Sequence, residues 1–326
     1  MLAFVRAKVT CCGALLLLLW SMQSQAQLPV RNHNPLMENV GVPVLMPARL
    51  LDDGERSFML ATTLNSHFVA EDKADDPLFF DGESLTTDLV WTGSDNGWQW
   101  QLLLPWISYR HGFMDDLIID WHDAFGLPGA DREKFPSDQL LFSYQQDGLD
   151  NEAIVLDHAV EGVGDMRLTL SHALAPKGNR ERAWHLQLKL PTGDSDDWLG
   201  SGSVDVALFM SARRPWQRWQ LDWQYGAAWL GKPDQLSAQR LDAAGFASMA
   251  LSYQWSQRLT LAGQVDGHTQ LYRHTDQRAL DFGLLASAGL HWQGPQWRWH
   301  LALLEDLYVD SAPDVGFQFG VEKRWR

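Results

Sequence analysis

The chain carries only two cysteines in 326 residues, Cys11 and Cys12, and both sit ahead of the leucine run Leu15–Leu19. Arg6 and Lys8 precede that run and Ser24-Gln25-Ala26 follows it, the layout of a secretory signal peptide cleaved after Ala26. Residues 1–26 are therefore expected to be a leader. A lipid anchor is not expected, because a lipoprotein cysteine would follow the apolar run. The mature chain then has no cysteine, which excludes disulfides and thiolate chemistry. Long hydrophobic runs are missing too: nothing reaches the roughly 20 residues that a membrane-spanning helix needs. Basic residues are scarce. Against 41 Asp+Glu stand 26 Lys+Arg, a net charge of −15 that becomes about −17 once Arg6 and Lys8 leave. A protein that meets a phosphate backbone needs the opposite sign, so nucleic acid is excluded as a partner. The acidity suits solubility in the periplasm and at the cell surface, or a cation-accepting lumen.

What the chain has instead is tryptophan and alternation. It holds 17 Trp, a residue favoured where a membrane meets water, since its ring is apolar and its N–H seeks a partner. In the last stretch, Val315, Phe317, Phe319, Val321 and Trp325 occupy every second position, and Gly316, Gln318, Gly320, Glu322 and Arg324 lie between them. Trp219, Leu221, Trp223, Tyr225 and Trp229 likewise alternate with Gln220, Asp222 and Gln224, and Trp184, Leu186, Leu188 and Leu190 with His185, Gln187 and Lys189. The dyad period returns through most of the sequence from residue 57. A mean hydropathy of −0.25 fits a barrel with half of its strand residues facing a wet interior. A soluble sandwich alternates as well, but it does not set Trp on one face strand after strand.

The expectation is an all-β, antiparallel transmembrane β-barrel over residues 57–326. Counting the weak segment Ile154–Val160 gives about fourteen strands, an even number as bacterial barrels require. Twelve follows if that segment and one neighbour are loop. Short turns (93–97, 145–151, 175–182, 212–218, 256–257, 293–296) alternate with longer connections (70–82, 110–138, 191–202, 231–245, 273–278). Barrel asymmetry makes the longer ones extracellular and puts both chain ends at the periplasmic side.

Two segments fall outside this pattern. Residues 27–56 do not alternate, and they form either a plug inside the lumen or a loose periplasmic tail; Asn32, His33 and Asn34 are candidate residues there. Within 110–138, Met114, Leu117, Ile118, Trp121 and Phe125 recur at helical spacing, and Gly126 with Pro128 ends the helix. Such a loop either folds into the pore or caps the rim, and Trp121, His122 and Asp123 are its candidates.

Asn34-Pro35-Leu36 with Gly41 and Pro43, the Trp121–Pro128 stretch, and Lys189-Leu190-Pro191-Thr192-Gly193-Asp194 leading to Ser201-Gly202-Ser203 resemble an uncharacterised proteobacterial family. Its members are secreted proteins of unknown function held to be outer-membrane β-barrels. The Lys-Leu-Pro-Thr-Gly stretch is also similar to one in barrels linked to aromatic-compound degradation and hydrophobic uptake. The terminal strand resembles the assembly signal of outer-membrane barrels, although Trp325 is penultimate rather than last. The resemblance implies an outer-membrane protein surrounded by lipid and lipopolysaccharide, and recognition by the barrel-assembly machinery through the C-terminal strand. It implies no catalytic residues, and a hydrophobic solute only through the second likeness.

Chemistry beyond the barrel is sparse. His111, Asp115, Asp116, Asp120, His122 and Asp123 crowd one loop, yet they lack zinc-helix spacing and the glycine turn of a calcium loop. A solvated acidic face is the expectation, with no metal and no cofactor. Asp194, Asp196 and Asp197 read as turn chemistry. Inward polar positions include Asp88, Gln99, Gln187, Asp205, Gln224 and Gln264, and a water-filled lumen accounts for them. His185, Lys189, Asp222, Arg298, His300 and Asp306 are the lumen candidates for solute contact. The reading is a monomeric channel or uptake protein for a small solute. An outer-membrane enzyme acting on lipid and a structural barrel without transport are the alternatives.

Overall fold

Alternation of apolar and polar residues becomes a sheet that closes on itself. A computed structural model describes residues 27–71, 77–125, 132–145, 153–273, 277–308 and 311–326. The sheet has fifteen strands among these residues, and twelve of them close the barrel. The first three barrel strands are β1 (Arg56–Glu71), β2 (Leu78–Asp95) and β3 (Trp98–Arg110). Three short strands follow, β4 (Leu141–Gln145), β5 (Ala153–Leu156) and β6 (Val160–Val163). Then come β7 (Met166–Lys177), β8 (Arg180–Leu190), β9 (Asp205–Trp216), β10 (Trp219–Trp229), β11 (Ala243–Gln254) and β12 (Leu259–His268). The last are β13 (Gly283–Gln293), β14 (Trp297–Asp306) and β15 (Val315–Trp325). The terminal strand whose alternation stands out in the sequence pairs with β1, from Arg56 opposite Trp325 to Ser66 opposite Val315. That pairing removes both sheet edges.

The smaller of the two expected strand counts holds for the barrel. Leu140–Tyr144 and Ile154–Val160 do not cross it: β4 pairs on one side with Leu78–Asp81 at one end of β2 and on the other with β5. The connection 145–151, expected among the turns at the chain-end side, therefore lies between two strands at the opposite end; its residues 146–151 lie outside the described residues. The remaining extra strand, β6, continues the line of β7 along β3. The interruption falls at Pro105, which has no N–H to offer the ladder; its carbonyl accepts the Gly164 N–H at 2.8 Å. At the end where β1 begins and β15 finishes, tight turns join the strands, hereafter the turn end; the other is the loop end. Asn96 and Gly97 link β2 and β3 with φ of 53° and 77°, the pair of left-handed residues that a two-residue hairpin requires.

The two faces of the wall separate by register. Outward positions carry Trp219, Tyr225, Trp229, Leu301, Phe317 and Phe319, all exposed, as lipid-facing residues should be. Inward positions carry Gln187, Asp222, Gln224, Gln264 and Gln318, all buried. Near the loop end the interior turns apolar: Phe80, Ile107, Phe142, Trp198, Phe246 and Leu280 belong to one core cluster. Here β1 and β2 rise above the barrel. Phe68, on an outward position, is buried because Phe135 packs on it at 5.5 Å between ring centres.

The expected helix is present as α1 (Asp115–Phe125). Its approach is held by Glu83, whose Oε1 accepts the N–H groups of Phe113 and Met114, each at 2.7 Å. Asp115 pairs with Arg132, which donates to Ser66 Oγ at 3.0 Å. Glu83 and Ser66 both occupy outward positions of their strands. The helix is therefore fastened to the outer flank of the rim, and of the two readings of this loop the one that folds it into the pore is corrected.

Candidate functional site

The interior is occupied by the chain itself. Residues 27–51 form neither helix nor strand, so their backbone N–H and C=O groups need partners from elsewhere. The wall supplies them as side chains. Gln27 Nε2 donates to Asp222 Oδ1 on β10 at 2.7 Å. Leu28 N donates to Gln264 Oε1 at 3.0 Å, and Gln264 Nε2 returns a bond to Leu28 O at 3.1 Å. Gln318 Nε2 donates to Pro29 O at 3.0 Å. From there the segment climbs to an apex at residues 34–39, where Asn34 Nδ2 reaches Ala279 O and Asn39 Nδ2 reaches Trp198 O at 2.6 Å. It then descends. Gly41 N donates to Asp205 Oδ2 at 2.8 Å and Gly41 O accepts from Gln187 Nε2 at 3.0 Å. Met46 N donates to Gln224 Oε1 at 2.9 Å, and Leu51 N to Gln99 Oε1 at 2.9 Å near the turn end. The segment enters β1 from there. These inward polar residues are thus engaged with protein, and the water-filled lumen of the sequence reading is corrected.

An ionic cluster fixes the apex. Arg31 donates to Glu38 Oε1 at 2.6 Å and to Asp88 on β2, with its second contact at 3.1 Å. His33 Nδ1 lies 2.5 Å from Glu38 Oε2. Arg167, on β7, donates to Glu38 O at 2.8 Å. Burial alone would raise the Glu38 carboxyl, but the Arg31 guanidinium, with His33 and Arg167, holds it well below the usual carboxylate range. Asn32 and Asn34 shape the turn: Asn32 Oδ1 accepts Asn34 N at 2.9 Å and Asn34 Oδ1 accepts Leu36 N at 3.0 Å.

The other sequence candidates separate. Trp121 and His122 belong to α1, and their side chains lie outside the described residues; Asp123 is exposed on the same helix. His185 is buried between Ser171 Oγ and Ser211 Oγ, at 2.8 and 2.7 Å, and stacks on Phe209. His300 Nε2 meets Gln318 Oε1 at 3.0 Å, and Arg298 pairs with Glu322. Arg298 and His300 line a cavity below the segment, at the turn end, together with Gln99, His291 and Arg324. Asp306 is half-buried near the loop end of β14. Lys189 is buried with its Nζ 2.7 Å from Asp165 and 3.4 Å from Asp205, and it touches Ser201 Oγ. A serine beside a lysine is the raw material of a nucleophilic dyad, but here the Lys189 ammonium is tied to the Asp165 and Asp205 carboxylates as well as to Ser201.

Arg31, Glu38, Arg167 and Asp165 escape sequence reasoning. The wall glutamines do not, since their inward register is visible; their partners are not, because an irregular segment carries no periodicity to align against the wall.

Comparison with known proteins agrees with this architecture. A family model described as "Protein of unknown function (DUF3187)" matches residues 7–325. The COG4313 outer membrane channel from Pseudomonas putida F1 superposes with a TM-score of 0.59 at 14% identity, covering 86% of this chain and 100% of that one. The NanC porin gives 0.45 at 9% identity over 82% and 98% of the two chains. The CymD monoaromatic hydrocarbon channel gives 0.44 at 10% over 93% and 95%. No protein with a curated description matches the sequence.

Proposed function

Since the chain belongs to the DUF3187 family of proteins of unknown function and folds as an outer-membrane β-barrel, we propose that it is a plugged channel for a small polar solute. Residues 27–55 are the plug, delivered inside the barrel once a leader of residues 1–26 has been removed. The observation that carries this is the exchange of hydrogen bonds between the backbone of residues 27–51 and inward Gln and Asp side chains from strands around the barrel. Such contacts hold a segment without building it into the sheet, so it can leave without breaking a ladder. The turn end is periplasmic and the loop end extracellular, and the Trp- and Leu-bearing face meets phospholipid and lipopolysaccharide. The barrel-assembly machinery reads β15, and one chain forms one pore. Below the apolar cluster the wall offers amides, hydroxyls, imidazoles and guanidinium groups. That lining supports a polar solute in place of the hydrophobic one implied by resemblance.

Single-channel recording on the refolded mature protein tests this reading, alongside a deletion of residues 27–51. The intact protein is expected to be silent or to open rarely, and the deletion to show discrete, stable steps. A deletion variant that still shows a heat-dependent gel shift, and is therefore folded, but never conducts would sink the proposal and favour a structural barrel.

A further inference from the structure

Above the apex of residues 34–39 the loops at the loop end leave a crevice enclosing about 380 Å3 of empty space, part of it open to solvent. Its floor is Pro35, Leu36 and Asn39 from the lumenal segment, and Trp198, Arg240 and Tyr272 stand in its walls. Arg240 is 5% exposed, and its Nη1 has no hydrogen-bond partner among the described residues. The guanidinium lies over the Tyr272 ring at 4.4 Å and donates from Nη2 to the Tyr272 hydroxyl at 2.9 Å. Among the described residues no carboxylate forms a salt bridge with it. A buried cation with an unpartnered N–H and no paired carboxylate among the described residues is costly, and an anion in the crevice relieves that cost. Guanidinium groups select carboxylate and phosphate because paired N–H donors match two oxygens. Asp194 and Asp196 flank the lining residue Ser195, and Asp234, which accepts the Ser195 hydroxyl at 2.8 Å, stands between the lining residues Pro233 and Gln235; all three are exposed and screened by salt.

We infer that this crevice binds a small oxyanion, carboxylate or phosphate, on Arg240, and that its occupancy reaches the plug apex. The route is short. The Tyr272 hydroxyl, held by Arg240, donates to Leu36 O at 2.8 Å. An oxyanion competes with that hydroxyl for the guanidinium and loosens its grip on the apex. This second part rests on the plug reading given above; the binding itself does not.

Calorimetric titration of the detergent-purified mature protein, with acetate and separately with inorganic phosphate, tests the site. Saturable binding of either anion is expected, and the tighter one names the source chemistry. Arg240→Gln weakens it by about tenfold or more, the worth of a charge-assisted hydrogen bond, while Arg240→Lys retains part of it. Lys232→Gln, on an exposed loop position, leaves it unchanged. No saturable binding of either anion to protein with an intact heat-dependent gel shift overturns the proposal, as does equal affinity in Arg240→Gln. Hydrogen exchange at Leu36–Val40 tests the coupling: it speeds up with the bound anion in the parent and not in Tyr272→Phe, which lacks the hydroxyl. Unchanged exchange with intact binding removes the coupling alone. Failure of the plug reading would appear in the conductance of the deletion variant and not in the calorimetry.

Discussion

Gln264 pairs with Leu28 as one peptide pairs with another. Its Oε1 accepts the Leu28 N–H at 3.0 Å and its Nε2 donates to the Leu28 carbonyl at 3.1 Å. A primary amide has the donor and acceptor of a peptide group, so a wall glutamine can satisfy a passing backbone that has no strand beside it. Gln224 does the same on the descending arm, accepting from Met46 N and donating to Val44 O. Replacing Gln264 with Ala strands two buried backbone groups, each at a cost on the order of 1–3 kcal/mol. The expected result is a rise in the open fraction of single-channel records, larger again when Gln224→Ala is added. Records from the double variant as silent as the parent, while the deletion of residues 27–51 conducts, would show that these amides do not hold the segment.

Arg31 ties Glu38 of the segment to Asp88 of the wall. Arg31→Met removes the cation that two buried carboxylates share and leaves Asp88 without it, a loss on the order of 3–5 kcal/mol. Docking should weaken while the sheet, held by other contacts, survives. The variant should therefore keep its heat-dependent gel shift and conduct more often. Loss of the gel shift would place Arg31 in barrel assembly instead of docking.

Acidity acts on the same cluster with a definite sign. The Glu38 carboxyl is depressed by Arg31, His33 and Arg167 against its own burial. A carboxyl that is lower when docked gives stability that is complete above its free value of about 4.3 and is lost only as pH falls through the docked value. Docking through Glu38 should thus be independent of pH between about 8 and about 5. Conductance of the intact protein recorded at those two limits checks this. Opening with a midpoint near neutrality would mean that another group controls the segment.

The barrel was legible because a wall with lipid on one side and polar contacts on the other writes its period into every strand. Gln220, Asp222 and Gln224 face inward and Trp219, Tyr225 and Trp229 outward, as their alternation requires. Leu141–Gln145 and Ala153–Leu156 alternate equally well. Alternation reports two unlike faces and says nothing of whether a strand crosses the membrane or extends the sheet above it. The helix was legible from spacing, yet its side of the wall depends on Glu83 and Ser66, which are remote in sequence. Candidate residues fared by the same logic. His185 and Lys189 were placed inward by register, but their partners Ser211 and Asp165 come from other strands and loops.

The outward face makes a separate prediction. Met249 lies near the middle of β11, opposite Trp223, and is exposed to the bilayer. Met249→Arg should cost about 2–4 kcal/mol, the depth-dependent penalty of a cation at the midplane. Urea titration of folding into lipid vesicles measures it. Lys232→Arg, outside the strands, serves as the reference and should be neutral. Equal stability of the two would contradict the placement of the membrane on this face.

Asp165 sits where β6 gives way to β7 and serves several partners at once. It accepts Lys189 Nζ at 2.7 Å, the Ser201 N–H at 3.0 Å and the Ser201 hydroxyl at 2.9 Å, with the Gly193 N–H at 3.2 Å. The loop between β8 and β9 is therefore folded around one carboxylate. Its two arms touch so closely that a Cβ on Gly200 would meet the Gly193 carbonyl oxygen at 2.4 Å. Asp165→Ala removes the hub and leaves Lys189 with Asp205, at 3.4 Å, as its one carboxylate, a local loss on the order of 3–5 kcal/mol. The twelve barrel strands do not depend on this loop, so the gel shift should persist. Trp198, 3% exposed in the parent, should become a chymotrypsin site. Asn39 donates to the Trp198 carbonyl, so opening the loop also frees a contact of the lumenal apex, and conductance should rise with cleavage. Nicking at Trp198 without any change in conductance would separate the loop from the segment beneath it.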